Sequence, residues 1–146
     1  GACNWRISRT IRGSRTWLVA AIRVGIDAVK VWVEVSEERL ARNFRAFAEA
    51  AGAETTVLAV VKANAYGHGA ERCSVMLARA GARWLGVTCA KEGMRVRRAL
   101  DAAGFMRGDV RTPEILVMCG FLPEDVAAIL EEELTPVVRP VAPLGW

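Results

Sequence analysis

Three short apolar runs restrict the fold of this chain more than anything else in it: Thr56-Val57-Leu58-Ala59-Val60-Val61, Trp84-Leu85-Gly86-Val87-Thr88-Cys89 and Ile115-Leu116-Val117-Met118-Cys119. A strand without polar alternation is buried on both faces, the usual condition of a strand in a parallel sheet. Parallel neighbours need a crossover of about a dozen residues or more, and helical patterns fill the gaps here. An earlier run, Val31-Trp32-Val33-Glu34-Val35, alternates and reads as the first strand of the series. Ser36 is placed to cap the helix after it, Glu37 and Glu38 put negative charge in its first turn, and Leu40, Phe44, Phe47 and Ala51 recur at helical spacing before Gly52 stops it. Further helices are predicted over 70–80, ended by Gly81, and over 90–103, closed by Gly104. Pro123 opens another that runs to about Glu133, and Leu134 to Val138 is a candidate fifth strand. A strand-helix repeat of roughly 25–30 residues means βαβ units, hence an α/β fold with a doubly wound sheet or a (β/α)8 barrel. A complete barrel takes about 250 residues. As a partial (β/α)8 barrel, the 146 residues would supply about half of one, with five strands at most.

Composition narrows the class further. With 53% hydrophobic and 25% charged residues, 13 Gly and 5 Pro, the chain is of globular type. No run of about 18 apolar residues occurs, so no membrane helix is expected. The net charge of +4 comes from Arg6, Arg9, Arg12, Arg15 and Arg23, which leaves the body near neutral and gives no reason to expect a nucleic-acid partner. Cys3, Cys73, Cys89 and Cys119 are too scattered for a zinc site, and the chain is long enough to fold without disulfides, so reduced thiols in a cytoplasmic protein are expected. Residues 1–26 read as a basic leader or a non-native extension. The apolar stretch Trp17–Ile22 is shorter than a usual signal segment, is followed by Arg23 and lacks a small-x-small cleavage site. Residues 27–138 carry the strand-helix series, and 139–146, with Pro140 and Pro143, read as an irregular or truncated end.

Chemistry concentrates in Val60-Val61-Lys62-Ala63-Asn64-Ala65-Tyr66-Gly67-His68-Gly69. Lysine is seldom buried without a partner. At the carboxyl end of a parallel strand, Lys62 would project into the mouth of an α/β fold, where active sites form. Partial desolvation there would lower its pKa, as Schiff-base chemistry and general-base work both require. Gly67 and Gly69 would let backbone N–H groups approach an anion at a helix entrance, and Tyr66 offers a hydroxyl. The pattern points to a lysine holding an aldehyde cofactor with a phosphate nearby. An equally simple reading has Lys62 ending the strand and reaching to water while the glycines make a turn.

The string VVKANAYGHG resembles the cofactor-binding signature of the alanine racemases, enzymes that use pyridoxal phosphate (PLP). Trp32-Val33-Glu34-Val35 with Leu40-Ala41-Arg42-Asn43-Phe44 is similar to that family's opening strand and helix. Gly81 to Val87 and the helix from Glu92 to Arg97 resemble its next strand and helix, and Ile115-Leu116-Val117 with Gly120 the strand after. The likeness runs over about residues 30–138. The resemblance implies that Lys62 is the Schiff-base lysine and the base on the face that handles D-alanine. It also implies that Tyr66 hydrogen-bonds the PLP phosphate and that Val60 is a lesser contact near the ring. Asn64 and His68 receive no catalytic role, His68 being read as a structural residue. The family's second base is a tyrosine from a C-terminal β-domain, supplied across a dimer. The sequence has one tyrosine, Tyr66, so the chain alone is expected not to racemise alanine. The parent protein would be a cytoplasmic homodimer that interconverts L- and D-alanine for peptidoglycan synthesis.

Two other readings stand beside this one: a serine or broad-specificity racemase, and a non-catalytic PLP carrier or regulatory barrel. An incomplete reading frame is a third, since half a barrel leaves sheet edges unpaired. Cys89 and Cys119, at predicted strand ends, read as small buried hydrophobes. Arg95, Arg97 and Arg98 read as a solvated helix face beside Glu92 and Asp101. Glu131, Glu132 and Glu133 close a helix at the end whose dipole disfavours them, and solubility is the only reason the sequence offers.

Overall fold

A computed structural model describes residues 5–12, 15–23 and 29–138. Two sheets are present. The first is antiparallel, with β1 (Trp5–Arg12), β2 (Arg15–Arg23) and β3 (Val29–Ser36) in chain order. Part of the segment read as a leader thus forms two strands, and Val35 lies opposite Leu18. The expected irregular end at 139–146 lies outside the described residues.

The second sheet carries the parallel series, again in chain order: β4 (Leu58–Val60), β5 (Trp84–Val87), β6 (Glu114–Val117) and β7 (Thr135–Pro136). Residue pairs Leu58 and Trp84, Leu85 and Ile115, and Leu116 and Thr135 set the register. A doubly wound sheet reverses its strand order at a switch point. Four strands in unbroken sequential order are an arc of a (β/α)8 barrel instead, and the arc is not closed.

One sequence expectation is corrected here. The run Val31–Val35 does not head the parallel series; it pairs antiparallel with β2. Its alternation, with exposed Glu34, is the mark of a strand with one wet face, whereas strands of the parallel series are apolar throughout. The described parallel sheet therefore holds four strands, not five.

Helices cover one face of the parallel sheet. Helix α1 (Glu37–Ala51) starts where Ser36 Oγ accepts the Arg39 N–H at 3.3 Å and ends at Gly52, whose φ of 83° an L residue would resist. Leu40 and Phe44 turn toward the core, while Phe47 is exposed. Helix α2 (Lys62–Tyr66) is a short turn treated below. Then come α3 (Ala70–Arg79), α4 (Ala90–Ala102) and α5 (Val126–Glu131), the last entered through a single 3-10 turn at Pro123–Asp125. Leu85, Val87, Ile115 and Val117 point from the strands into this layer and are fully buried with Val96 and Leu100. The other sheet face, with Leu58, Val60, Trp84, Leu116 and Met118, is half-buried.

Arg95 and Arg98 lie on the solvated face the sequence predicts, whereas Arg97 and Glu132 are buried. Arg97 is 2% exposed and donates to the carbonyls of Glu132 (3.0 Å), Glu133 (3.0 Å) and Pro113 (3.4 Å). Burial, aided by the nearby Arg107 charge, pushes its guanidinium pKa down. Glu132 is 5% exposed and accepts from Arg98 at 3.0 Å and Arg107 at 2.8 Å. A helix C-terminus exposes carbonyls and partial negative charge, which a buried arginine satisfies. Glu132 is tolerated at that end because two arginines face it, so solubility is not its reason.

Candidate active site

The site begins where β4 ends. Val61 follows the strand, donates its N–H to Gly86 O at 2.8 Å, and buries its side chain on the helix side. Val60, one residue earlier, faces the other way. A Cβ built on its neighbour Gly86 would stand 3.4 Å from Val60 Cγ2 and 3.2 Å from Met118 Sδ, so a side chain there would press on both. Lys62 comes next, half-buried at the carboxyl end of the strand, as the sequence predicts.

From Lys62 the chain does something the sequence does not announce. Ala63, Asn64, Ala65 and Tyr66 have φ of 51°, 56°, 51° and 54°, one turn of left-handed helix built from L residues. Each such residue carries a steric cost of about 1–2 kcal/mol, so tertiary bonds must hold the turn. Asn64 supplies two: its carbonyl accepts Gly69 N–H at 2.9 Å and its Oδ1 accepts Ala70 N–H at 3.0 Å, capping the start of α3. His68 Nδ1 donates to Ala65 O at 2.8 Å, so this histidine holds the turn, in keeping with a structural reading. Buried Ala65 anchors the turn in the core. Strain of this kind concentrates at functional sites.

The glycine expectation is corrected. Gly67 N–H bonds to Ala63 O (3.2 Å) and Asn64 O (3.1 Å), and Gly69 N–H to Asn64 O. Both donors are occupied inside the turn and neither is offered to an anion. The glycines serve by conformation, with φ of 87° and 94°. Tyr66, 62% exposed, carries a hydroxyl on the same turn that can donate to an anionic group.

Glu92 is the residue sequence reasoning missed. Placed third in α4, it accepts Thr88 N–H on Oε2 and Ala63 N–H on Oε1, each at 2.8 Å. The first bond follows from a glutamate in the opening turn of a helix and was legible. The second joins residues 29 positions apart and has no local signal.

Cys89 and Cys119 stand at the same end of the sheet, but both are exposed free thiols, which corrects their reading as buried hydrophobes. Each lies past the last strand residue, where the chain turns out of the sheet. Cys73 is the buried one, and burial pushes its thiol pKa up. A cavity of about 160 Å³ lined by Arg83, Trp84, Arg97 and Glu114 opens at the amino ends of β5 and β6, away from Lys62. Among the described residues no cluster of side chains could hold a metal ion, and no helix is long and apolar enough to cross a membrane.

The chemistry offered is that of a half-buried primary amine with a phenol on the same turn and an apolar valine beside the strand end. An amine condenses with an aldehyde, and a phenol donates to an anion. This donor set fits an aldehyde cofactor with an anionic tail such as PLP.

Residues 35–143 match the family of alanine racemase N-terminal domains. Similar curated proteins include the alanine racemase of Synechocystis sp., 40% identical over 86 residues, or 58% of this chain and 23% of that protein. The alanine racemase of Cereibacter sphaeroides is 37% identical over 107 residues, 73% of this chain and 28% of that protein. That of Carboxydothermus hydrogenoformans is 36% identical over 110 residues, 75% of this chain and 27% of that protein. The chain spans about a quarter of the length of the curated relatives it matches.

Proposed function

The chain belongs to the alanine racemase N-terminal domain family, and we propose that residues 27–138 supply the lysine half of the active site of a PLP-dependent racemase that interconverts L- and D-alanine. The observation that carries this reading is the placement of Lys62 on a strained, tightly bonded turn at the carboxyl end of a parallel strand.

Bound PLP would supply the sink for the electrons left at the substrate α-carbon when its proton departs. The chain's own residues do the rest. Lys62 would be the residue that holds the cofactor, and its Nζ would be the base that takes or returns the α-proton on the D-alanine face. Tyr66 Oη would donate to the cofactor's phosphate, and Val60 would be a lesser apolar contact near its ring. The left-handed turn keeps Lys62 and Tyr66 in one fixed relation, so orientation is set before the substrate arrives. Asn64 and His68 hold that turn and exchange no proton with substrate.

Racemisation needs a base on each face of the α-carbon. Tyr66, the one tyrosine of the sequence, is engaged with the phosphate in this reading. The 146 residues alone are therefore expected not to racemise alanine. The second base, the homodimer that contributes it, the cytoplasmic location and the supply of D-alanine to peptidoglycan belong to the proposed parent enzyme. The test is a coupled racemase assay on the purified chain saturated with PLP, using D-alanine, L-alanine and L-serine. Cofactor binding with no turnover is expected. Turnover comparable with a complete enzyme would overturn the assignment of the second base, and turnover of serine in preference to alanine would overturn the substrate.

A further inference from the structure

The carboxylate of Glu92 does more than cap a helix. A glutamate at the third position of α4 needs one oxygen to satisfy an N–H at the helix entrance, and Oε2 does so with Thr88 at 2.8 Å. Oε1 leaves the helix and accepts the N–H of Ala63, also at 2.8 Å. Ala63 directly follows Lys62 and is the first of four successive residues with positive φ. Here the chain has left β4 and enters a turn that L residues resist. Charge-assisted bonds are the strong kind, and the start of a helix is where negative charge is favoured. One side chain thus ties the turn after β4 to the loop after β5.

From this bridge we infer that Glu92 is the positioning residue of the Lys62 site: by fixing the peptide that follows Lys62, it sets the direction in which the amine leaves the strand. The inference rests on the reading that Lys62 receives the cofactor. Glu92 acts through the Ala63 backbone and is not itself a catalytic residue.

Two variants of the 146-residue chain separate this role from capping. Glu92→Gln keeps the size but has one accepting oxygen for two N–H groups. Glu92→Asp keeps the charge and the helix cap but is too short to reach Ala63 as well. Glu71→Gln removes the same charge from the Arg95 pair on the surface and is the control. The first readout is amide hydrogen exchange without cofactor. Ala63 exchange should accelerate roughly tenfold in both Glu92 variants, the loss of one charge-assisted bond, while Leu85 and Val117 stay protected. The second readout is the rate at which PLP reacts at Lys62, trapped with borohydride and quantified by peptide mass. It should fall roughly tenfold in Glu92→Gln and Glu92→Asp and not change in Glu71→Gln. Unchanged Ala63 exchange would overturn the bridge. Faster exchange with an unchanged Lys62 rate would overturn the positioning role. If the parent chain does not react with PLP at Lys62, the cofactor reading fails instead. Trace acetylation then judges Glu92: Lys62 reactivity rising in Glu92→Gln toward that of exposed Lys91 supports positioning, and no change overturns it. Where Glu92→Gln does not fold, Glu92→Asp carries both readouts.

Discussion

Replacing Ala63 by glycine tests the left-handed turn through the sign of a stability change. Ala63 has φ of 51° and ψ of 47°, and its methyl group is exposed, so little burial is lost with the side chain. Glycine retains the N–H that Glu92 accepts. In the left-handed region an L residue is strained by about 1–2 kcal/mol, which glycine relieves. Against this, glycine loosens the unfolded chain by about 0.4–1 kcal/mol. The net expectation is a stabilisation of about 0.5–1 kcal/mol, or a rise in Tm of about 2–4 °C. In a right-handed helix the same substitution destabilises by about 0.5–1 kcal/mol, so the two conformations give opposite signs. Urea unfolding followed by circular dichroism measures the difference, provided the slope of the transition is the same for both chains. A midpoint that falls on substitution would refute the left-handed turn and the strain argument built on it.

Arg97→Met removes the donor from three carbonyls in a buried place and should destabilise the fold by about 3–5 kcal/mol, read from the urea midpoint. A loss below about 1 kcal/mol would mean that the arginine behaves as a surface group. With a thiol-alkylating reagent under native conditions, Cys89 and Cys119 should react promptly. Cys73, buried and with its thiol pKa raised, should react only as fast as the chain opens. Peptide mapping over time distinguishes them, and early modification of Cys73 would contradict its place in the core.

How much of this was legible in the sequence follows from the range of the forces involved. Helices α3 and α4 fall within a residue or so of their predicted limits, because glycine stops and apolar spacing are local signals. Strands β4 to β6 were legible because an apolar run with no alternation has few other uses. β3 was seen as a strand, but local pattern does not name a strand's partner, and pairing with β2 put it in the other sheet. The position of Lys62 followed from the strand it ends. The conformation after it did not, since Ala63 to Tyr66 are L residues with no preference for positive φ, and only the surrounding bonds keep them there. The roles of Glu92, Arg97 and Glu132 were hidden for a related reason: each charge is satisfied by a group distant in sequence. Cys89 and Cys119 are exposed because each lies two places past its strand, where the chain turns outward with the loop.

Covalent trapping decides whether Lys62 is the group that takes the cofactor. The purified chain is incubated with PLP, reduced with borohydride, digested and mapped by mass. A single saturable modification at Lys62 is expected, formed in preference to exposed Lys91 and absent from a folded Lys62→Ala chain. Modification spread over the lysines according to exposure, or none at Lys62, would contradict it.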